Sequence, residues 1–268
     1  MNLRALFLIV VLMLATEAFA KTPLSFGIVP QQSAKRLAAT WGPIIEELEQ
    51  KTGLDIKFAT APSIPIFEER MAKQAYDIAY MNPYHYALFS GPKAYRAIAK
   101  QSNKQIKGII VVPIDSPIQT LEDLNQQEMA FPAPLSFAAT LIPKSTLERA
   151  GIQVKPTYVQ SHDSVYMGVA RGFFPAGGGV VRTLNASSTA ISSKLRILWE
   201  SSGFTPHAIA VSSKVSAEHA AKISEALYAI TDVSLLNPIE FSGFSKASDS
   251  DWDSIRELNI NATPDSSR

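Results

Sequence analysis

The feature that most constrains this chain is a regular alternation of apolar strand patterns with amphipathic helix patterns along most of its 268 residues. Leu24–Val29 is typical of a strand. The stretch 34–52 carries a helical apolar face, with Ser33 as its N-cap and Gly53 as the residue that ends it. Repeated strand–helix units predict largely parallel sheets covered by helices on both faces. We therefore predict an α/β protein.

Two lobes fit this alternation better than one, because each run of units has the size of a small domain. We expect the chain to cross between the lobes near residues 101–107 and 201–206, which are polar or rich in turn residues. The prediction is lobe 1 over residues 21–104, lobe 2 over 105–204, and a return to lobe 1 over 205–268 with a C-terminal helix. The fold expected is a two-lobe clamshell in which each lobe is a mostly parallel sheet flanked by helices.

Residues 1–20 predict an export signal that is removed from the mature protein. Arg4 supplies a positive charge, residues 5–15 form an apolar run, and Ala18-Phe19-Ala20 is a cleavage site of the small-x-small type. The mature chain should then begin at Lys21. Because the apolar run is too short to span a bilayer comfortably, we expect a periplasmic protein without membrane insertion.

Composition excludes several classes of function. Removal of residues 1–20 deletes Arg4 and Glu17, so the net charge stays at +1, and the basic stripe that nucleic acid requires is lacking. The chain contains no cysteine, so buried apolar surface rather than disulfides must stabilise it. It also contains no G-x-S-x-G, H-E-x-x-H or C-x-x-C motif. We predict a monomer that is not an enzyme and has no cofactor and no metal site.

Polar side chains are concentrated where one strand pattern ends. Tyr76–Tyr80 alternates like a strand, Asn82-Pro83 stops it, and Tyr84 follows directly. Open α/β sheets bind their ligands outside such strand ends. The alternative is that these tyrosines are core residues whose hydroxyls are satisfied internally.

Two predicted helix starts in lobe 2 offer a different kind of binding group. Ser136 begins one helix and Ser161-His162 begins another. The free backbone N–H groups there, the helix dipole and the polar side chains suit an oxyanion, although ordinary N-capping is an alternative explanation. The candidate ligand-binding residues are Tyr80, Asn82, Tyr84, Ser136, His162, Gln31 and His207.

Five segments together resemble one known family in the order in which they occur. They are Phe26–Pro30, Trp41-Gly42-Pro43, Tyr76–Tyr80, the Asp115-Ser116-Pro117 to Leu124 element, and Ser161-His162-Asp163. The chain resembles a divergent member of the periplasmic phosphate/phosphite/phosphonate-binding proteins of ABC transporters. These proteins have the type II solute-binding fold. The resemblance implies a clamshell that holds a small oxyanion in its cleft and delivers it to a membrane permease.

The sequence departs from the family pattern at the residues that grip the ligand. The family typically carries P-x-S-T-S-G at the start of the lobe 2 helix, whereas Pro134–Ala139 keeps only the hydroxyl of Ser136. At one position where the family typically has an acidic residue, this chain has Pro175. His207 stands near the position of a second such acid. These departures predict an oxyanion that has no amine, either phosphate or phosphite held by a weakened clamp or a more apolar, alkyl-bearing ligand. The alternatives are an input protein that reports its ligand to a membrane kinase, or a small-molecule enzyme on the same scaffold.

Overall fold

The computed structural model describes residues 22–258 and 260, and the predicted export signal lies outside these residues. Two sheets contain the strands of the described chain. The first, which we call the sheet of lobe 1, consists of β1 (Leu24–Ile28), β2 (Ile56–Ala59), β3 (Ile78–Met81), β4 (Tyr95–Gln101), β10 (Ala208–Ser212) and β11 (Phe244–Lys246). The second, the sheet of lobe 2, consists of β5 (Gly108–Pro113), β6 (Glu128–Phe131), β7 (Lys155–Tyr158), β8 (Ala176–Val180) and β9 (Leu195–Glu200).

Most strands of each sheet run in one direction, as predicted, and a minority run in the opposite direction. The strand orders are β11-β4-β10-β3-β1-β2 and β7-β6-β8-β5-β9. In the first sheet β1 pairs in parallel with β2 and β3, but β10 runs antiparallel to both β3 and β4. In the second, β6 is parallel to β7 and β8, while β5 is antiparallel to β8 and β9. The physical reason is that strands entering a sheet from a lobe crossing arrive in the opposite direction to the strand–helix units.

Helices cover the sheets, as the alternation of patterns predicts. They are α1 (Ala34–Thr52), α2 (Ile64–Ala72), α3 (Pro83–Phe89), α4 (Ile142–Arg149), α5 (His162–Ala170), α6 (Val181–Asn185), α7 (Thr189–Ser192), α8 (Ala217–Tyr228), α9 (Val233–Leu236) and α10 (Asp253–Arg256). The expected C-terminal helix is short, since only α10 and the 3₁₀ turn Asp249–Trp252 before it are helical. In the part of the chain that the structure describes, no helix is long and apolar enough to cross a membrane.

Helix α1 forms for the reasons that its sequence suggests, and it holds a site residue in place. The Ser33 hydroxyl accepts a hydrogen bond from the Arg36 N–H, and Gly53 ends the helix in a left-handed conformation with φ of 67°. Trp41, on the buried face of the helix, packs on Tyr80 of β3 with ring centroids 4.6 Å apart. Replacement of a buried tryptophan by alanine typically costs about 3–5 kcal/mol, so this contact holds Tyr80 firmly.

Two short segments connect the sheets and pair with each other. One runs from Gln101 at the end of β4 to Gly108 at the start of β5, and the other from Glu200 to Ala208. At their centres Ile106 and Phe204 exchange two backbone hydrogen bonds of 2.9 Å each in an antiparallel bridge. The domain boundaries given above stay a prediction, and this bridge joins the two segments that connect the sheets.

The helix predicted over residues 136–150 is divided in two. Phe137–Leu141 is a π-helical turn, and α4 begins at Ile142 with Pro143 in its first turn, where proline needs no N–H partner. The turn lies flat on β5 and β8 because both strands present glycine there. A Cβ on Gly108 would lie 2.1 Å from the Ala138 carbonyl oxygen, and one on Gly178 would lie 1.9 Å from that of Ala139. Gly178, the middle residue of the Gly177-Gly178-Gly179 run in β8, therefore lies under a closely packed backbone.

The buried apolar cluster of lobe 1 continues across the cleft. It includes Phe26, Trp41 and Tyr80 on one side and Leu135 and Phe137 on the other. Apolar side chains from the two lobes therefore belong to one buried cluster.

Candidate functional site

A small cavity lies between the lobes where the strand ends of the two sheets meet. Its volume is about 10 Å³. Five of the seven sequence-predicted residues line it: Gln31, Asn82, Ser136, His162 and His207. A cavity needs roughly 10–15 Å³ to hold one water molecule, so the lobes as placed here leave room for one water at most.

Gln31 joins the lobes through both its main chain and its side chain. It follows β1, and its carbonyl accepts a hydrogen bond of 3.1 Å from the His162 N–H, which is the first N–H of α5. Its side-chain oxygen accepts a hydrogen bond from the Arg182 guanidinium. One of the backbone donors expected to serve an oxyanion at the start of α5 is therefore occupied by Gln31 in the closed structure.

Asn82 has two functions at the end of β3. Its Oδ1 accepts from the His85 N–H at 2.8 Å and so caps α3. Its Nδ2 donates to the Leu135 carbonyl of lobe 2 at 3.1 Å. Both ends of the amide are used, and one of them holds the lobes together.

Ser136 begins the π-helical turn from a buried position. Its carbonyl accepts hydrogen bonds from the N–H groups of Thr140 at 2.7 Å and Leu141 at 3.2 Å. The N–H groups that precede these two at the start of a helical turn have no carbonyl within it to bind. Phe137, Ala138 and Ala139 line the cavity beside Ser136, so this part of the wall is mostly apolar.

His162 is a buried, neutral imidazole. Burial lowers its pKa from 6.5 to about 3, and the nearby positive charge of Arg182 acts in the same direction. Its Nδ1 lies 3.1 Å from the Thr183 hydroxyl oxygen, which itself lies 2.7 Å from the Tyr166 hydroxyl. The imidazole therefore meets the cavity as a hydrogen-bonding group and not as a cation.

His207 and Tyr80 form a stacked pair behind the cavity. Their ring centroids are 4.8 Å apart and their planes 18° from parallel. Burial raises the pKa of Tyr80 against the opposing effect of Arg182. Burial, followed by the positive charge of Arg182, holds the pKa of His207 well below its ordinary value. The Nε2 of His207 is buried without a hydrogen-bond partner among the described residues.

Tyr84 lies away from the cavity, although it is only two residues from Asn82. Its hydroxyl donates to the Ile260 carbonyl at 2.6 Å, and it lines neither of the two cavities between the lobes. The reason is the helix itself, because each residue of α3 is turned by about 100° from the one before it. Tyr84 was predicted to bind the ligand because it is close to Asn82 in the sequence. Its side chain is instead directed toward the C-terminal segment.

Arg182 is the site residue that sequence reasoning missed. It lies in the first turn of α6, directly after β8, and its guanidinium reaches across to Gln31 of lobe 1. The available signal was its position after an apolar strand, the same signal that identified Asn82. Arg182 also lines a second, larger cavity of about 900 Å³ beside the first. Among the described residues, no group of three His, Cys, Asp or Glu could hold a metal ion.

Comparison with known proteins identifies the family. Residues 26–252 match the family described as ABC transporter, phosphonate, periplasmic substrate-binding protein. The chain belongs to this family. That description is of a substrate-binding component and not of an enzyme, and it agrees with the two-sheet α/β fold and with a periplasmic protein.

Individual relatives of this phosphonate-binding family member are distant. The phosphate-import protein PhnD of Mycolicibacterium smegmatis is 24% identical over 208 residues, which cover 69% of this chain and 64% of that protein. The phosphonates-binding periplasmic protein of Escherichia coli is 23% identical over 200 residues, covering 66% and 57%. The chain thus matches about three fifths of the length of these curated relatives.

A solved structure shows the same fold. PhnD1 of Prochlorococcus marinus, determined in complex with methylphosphonate, superimposes with a TM-score of 0.79 at 17% identity. The match covers 88% of this chain and 96% of that one. At this identity the likeness establishes the type II two-lobe architecture alone.

Proposed function

We propose that this chain captures a small phosphorus oxyanion, such as phosphate, phosphite or an alkylphosphonate, between its lobes and delivers it to an ABC permease. The observation that carries the proposal is the convergence of Gln31, Asn82, Ser136, His162 and His207 on one cavity. These residues come from five separate places in the chain, and each supplies hydrogen-bonding groups. The phosphonate-binding family to which the chain belongs supports the same function.

The tautomer of His162 decides whether its Nε2 can donate a hydrogen bond to an anion. An oxyanion needs a donor, so Nε2 must carry the proton and Nδ1 must accept one. The Tyr166 and Thr183 hydroxyls lie in a chain that ends at Nδ1, with separations of 2.7 Å and 3.1 Å. Both hydroxyls also lie within hydrogen-bond distance of the Val180 carbonyl oxygen, Tyr166 at 2.9 Å and Thr183 at 3.1 Å. If Tyr166 donates to that carbonyl and Thr183 donates to Nδ1, the Nε2–H of His162 is left for the ligand.

Ligand entry requires the lobes to separate, because the closed cavity has a volume of only about 10 Å³. The paired crossing segments at Ile106 and Phe204 form the natural hinge. Opening breaks the bonds from Asn82 to Leu135 and from His162 to Gln31, so the N–H of His162 becomes available to an oxyanion. A ligand then favours closure to the extent that it binds the closed state more tightly.

The charge of the cavity wall selects the ligand. Among the described residues that line the small cavity there is no carboxylate. A zwitterionic aminophosphonate would bring an ammonium group that stays unpaired in a closed cleft, at a large desolvation cost. The apolar side chains of Phe137 and Ile64 in the wall suit the methyl group of an alkylphosphonate instead.

Calorimetric titration with phosphate, methylphosphonate and 2-aminoethylphosphonate tests this function. We expect methylphosphonate or phosphate to bind more tightly than the aminophosphonate. His162→Ala should weaken binding by about 1–3 kcal/mol, the usual loss when a polar partner is removed. His219→Ala, which removes a histidine outside both cavities, is the matched control. Tighter binding of the aminophosphonate, or equal affinities for wild type and His162→Ala, would contradict the proposal.

Export is part of the same proposal. Delivery to a permease from the periplasm requires that the signal over residues 1–20 be removed. N-terminal sequencing of periplasmic protein from a bacterial host should begin at Lys21. Recovery of periplasmic material that begins at Met1 would show that the signal is not cleaved.

A further inference from the structure

Two consecutive residues of the C-terminal part of the chain hold the crossing segment 200–208 on lobe 1. The Thr205 hydroxyl donates a hydrogen bond of 2.7 Å to the Asp251 carbonyl. The indole N–H of Trp252, a fully buried residue, donates to the Pro206 carbonyl at 3.0 Å. Since His207 is the next residue and lines the small cavity, both hydrogen bonds fix the main chain directly before a site residue.

Asp251 is also connected to the strand that leads into the other crossing. Its carboxylate lies 2.6 Å from the Lys100 ammonium group, close to the end of β4. The second carboxylate oxygen accepts a hydrogen bond of 2.8 Å from the Ser248 N–H, which orients the carboxylate within its own 3₁₀ turn. The main chain of Asp251 therefore binds one crossing segment, and its side chain binds the start of the other.

The opposite end of the segment 200–208 is bound to lobe 2. The N–H of Gly108, the first residue of β5, donates to the Ser201 hydroxyl, and the Ser201 N–H donates to the Gly108 carbonyl, each at 2.9 Å. Three residues, 202–204, lie between this contact and Thr205. A hinge absorbs its rotation over a few loop residues of this kind, so rotation of lobe 2 relative to lobe 1 falls on residues 202–204.

His207 lies on the lobe 1 side of these three residues. Its ring stacks on Tyr80 of β3, with ring centroids 4.8 Å apart and planes 18° from parallel. The strand β10 begins at the following residue, Ala208, and pairs with β3. The contacts of His207 with Tyr80, with β10 and with the main chain bound by Trp252 all belong to lobe 1, while its Nε2 is buried without a hydrogen-bond partner among the described residues.

We propose that Asp251 and Trp252 are positioning residues that keep His207 in place on lobe 1 while lobe 2 moves about residues 202–204. The ligand-free protein then presents His207 as a preformed part of the site, and the ligand contacts lobe 1 before lobe 2 covers it. Preformed binding groups lose less conformational freedom when a ligand binds. The effect on affinity rests on the proposed function, whereas the position of His207 can be measured without any ligand.

Histidine NMR spectra of the ligand-free mature chain test this placement. The chain contains four histidines, so each resonance can be assigned by a single substitution. In wild type the carbon-bound ring protons of His207 should show the upfield ring-current shift that the stacked Tyr80 causes. Trp252→Phe keeps an aromatic ring against Tyr86, where the centroids are 4.5 Å apart, but removes the indole donor. The upfield shift of His207 should therefore decrease in this variant.

Two further variants make the test independent of the folding of Trp252→Phe. Thr205→Val removes the donor to the Asp251 carbonyl with little change of side-chain shape, and it should decrease the His207 shift in the same direction. Ile255→Val is the matched control, because Ile255 is buried in α10 of the same C-terminal segment. It should lower the urea midpoint of unfolding through lost packing and leave the His207 shift at its wild-type value.

Calorimetric titration with methylphosphonate gives the functional readout. Trp252→Phe should weaken binding by about threefold to tenfold, the loss expected when one hydrogen bond that positions a binding group is removed. Thr205→Val should weaken it in the same direction, and Ile255→Val should stay within about twofold of wild type.

The outcomes separate this inference from the proposed function. Absence of the upfield shift in ligand-free wild type would overturn the inference, and so would an unchanged shift in both Trp252→Phe and Thr205→Val. Equal losses of affinity in Trp252→Phe and Ile255→Val would also overturn it, because they would report general destabilisation. If wild type binds neither phosphate nor methylphosphonate, the proposed function fails, and the His207 shifts of the ligand-free proteins still decide the inference.

Discussion

The side-chain amide of Asn82 in lobe 1 donates a 3.1 Å hydrogen bond to the main-chain carbonyl of Leu135 in lobe 2. The same side chain caps α3 through its Oδ1. Leu135 immediately precedes Ser136, so this bond connects the strand end of one lobe with the helical turn of the other. Asn82 therefore contributes both to the start of α3 and to the contact between the two lobes.

Substitution of Asn82 separates these two functions. Asn82→Asp keeps an oxygen for the His85 N–H but replaces the donor to Leu135 by a second acceptor, so α3 should form while the closed state is disfavoured. Asn82→Ala removes both and should lower the free energy of unfolding by about 0.5–2 kcal/mol through the lost cap. Small-angle scattering of the ligand-free proteins should give a larger radius of gyration for Asn82→Asp than for wild type. Identical scattering curves would mean that this bond does not hold the lobes together.

Thr183 is a positioning residue whose substitution should change ligand affinity without contact between Thr183 and the ligand. Its hydroxyl lies between the Tyr166 hydroxyl and Nδ1 of His162. Thr183→Val removes the donor that keeps Nδ1 unprotonated, so the Nε2–H form of His162 loses its support. We expect about a tenfold loss in methylphosphonate affinity, equal to about 1.4 kcal/mol.

Nitrogen chemical shifts of His162 provide the readout that a merely structural role would not change. In wild type they should indicate the Nε2–H tautomer, and in Thr183→Val they should move toward the Nδ1–H tautomer. Tyr166→Phe, which removes the outer member of the chain, should change the shifts in the same direction by less. Loss of affinity with unchanged shifts would assign Thr183 a packing role instead.

The buried histidines predict how stability depends on pH. The pKa of His162 is about 3 in the folded protein and near 6.5 when unfolded, so between these values the unfolded chain binds the extra proton. Stability is therefore unaffected by this group above pH 6.5 and falls as the pH drops below it, by about 1.4 kcal/mol per pH unit. His207, whose pKa is also lowered, adds a loss of the same sign.

Denaturant unfolding of wild type and His162→Gln between pH 7.5 and 4.5 measures this effect. The stability difference between the two proteins should shift in favour of His162→Gln as the pH falls. His219→Gln, which removes a histidine outside the cleft, is the control for loss of one imidazole. Parallel stability curves for wild type and His162→Gln would show that His162 accepts its proton without unfolding.

The alternation of strand and helix patterns was sufficient to predict the fold class. The spacing of the apolar residues shows which face of each strand or helix must be buried. Nothing local in Ala208–Ser212 indicates that it inserts between β3 and β4 in the opposite direction, since its position is set by where the chain returns from lobe 2. Mixed pairing is a consequence of the crossings and not of the strand sequences themselves.

Residues of the candidate site could be predicted from the sequence when the backbone alone fixes the direction of the side chain. Asn82 and His162 stand at helix starts, and such positions face the cleft in an open α/β sheet. Tyr84 and Arg182 could not be placed in this way. The orientation of Tyr84 depends on the turn of a short helix, and the contact of Arg182 with Gln31 joins residues 151 positions apart in the chain, which only a three-dimensional structure reveals.

The close packing of the π-helical turn on β8 makes Gly178 the glycine whose substitution should affect the site most directly. A Cβ at Gly178 would lie 1.9 Å from the Ala139 carbonyl oxygen and 2.7 Å from Cδ1 of Phe131. Because the nearer atom belongs to the backbone, a side-chain rotation cannot relieve the clash. Gly178→Ala should therefore push the turn off the strand, displace Ser136 from the cavity, and destabilise the protein by about 1–3 kcal/mol or more.

Gly42→Ala is the matched control, since a Cβ there meets no atom within 4 Å and lies inside α1. Alanine is a better helix former than glycine by about 1 kcal/mol, so this variant should be slightly more stable than wild type. Urea unfolding and methylphosphonate titration of both variants would separate the two effects. Gly178→Ala should lose both stability and affinity, while Gly42→Ala should keep its affinity. If Gly178→Ala unfolds at the wild-type urea concentration and binds normally, the turn can move off β8 without cost, and its position would not determine the site.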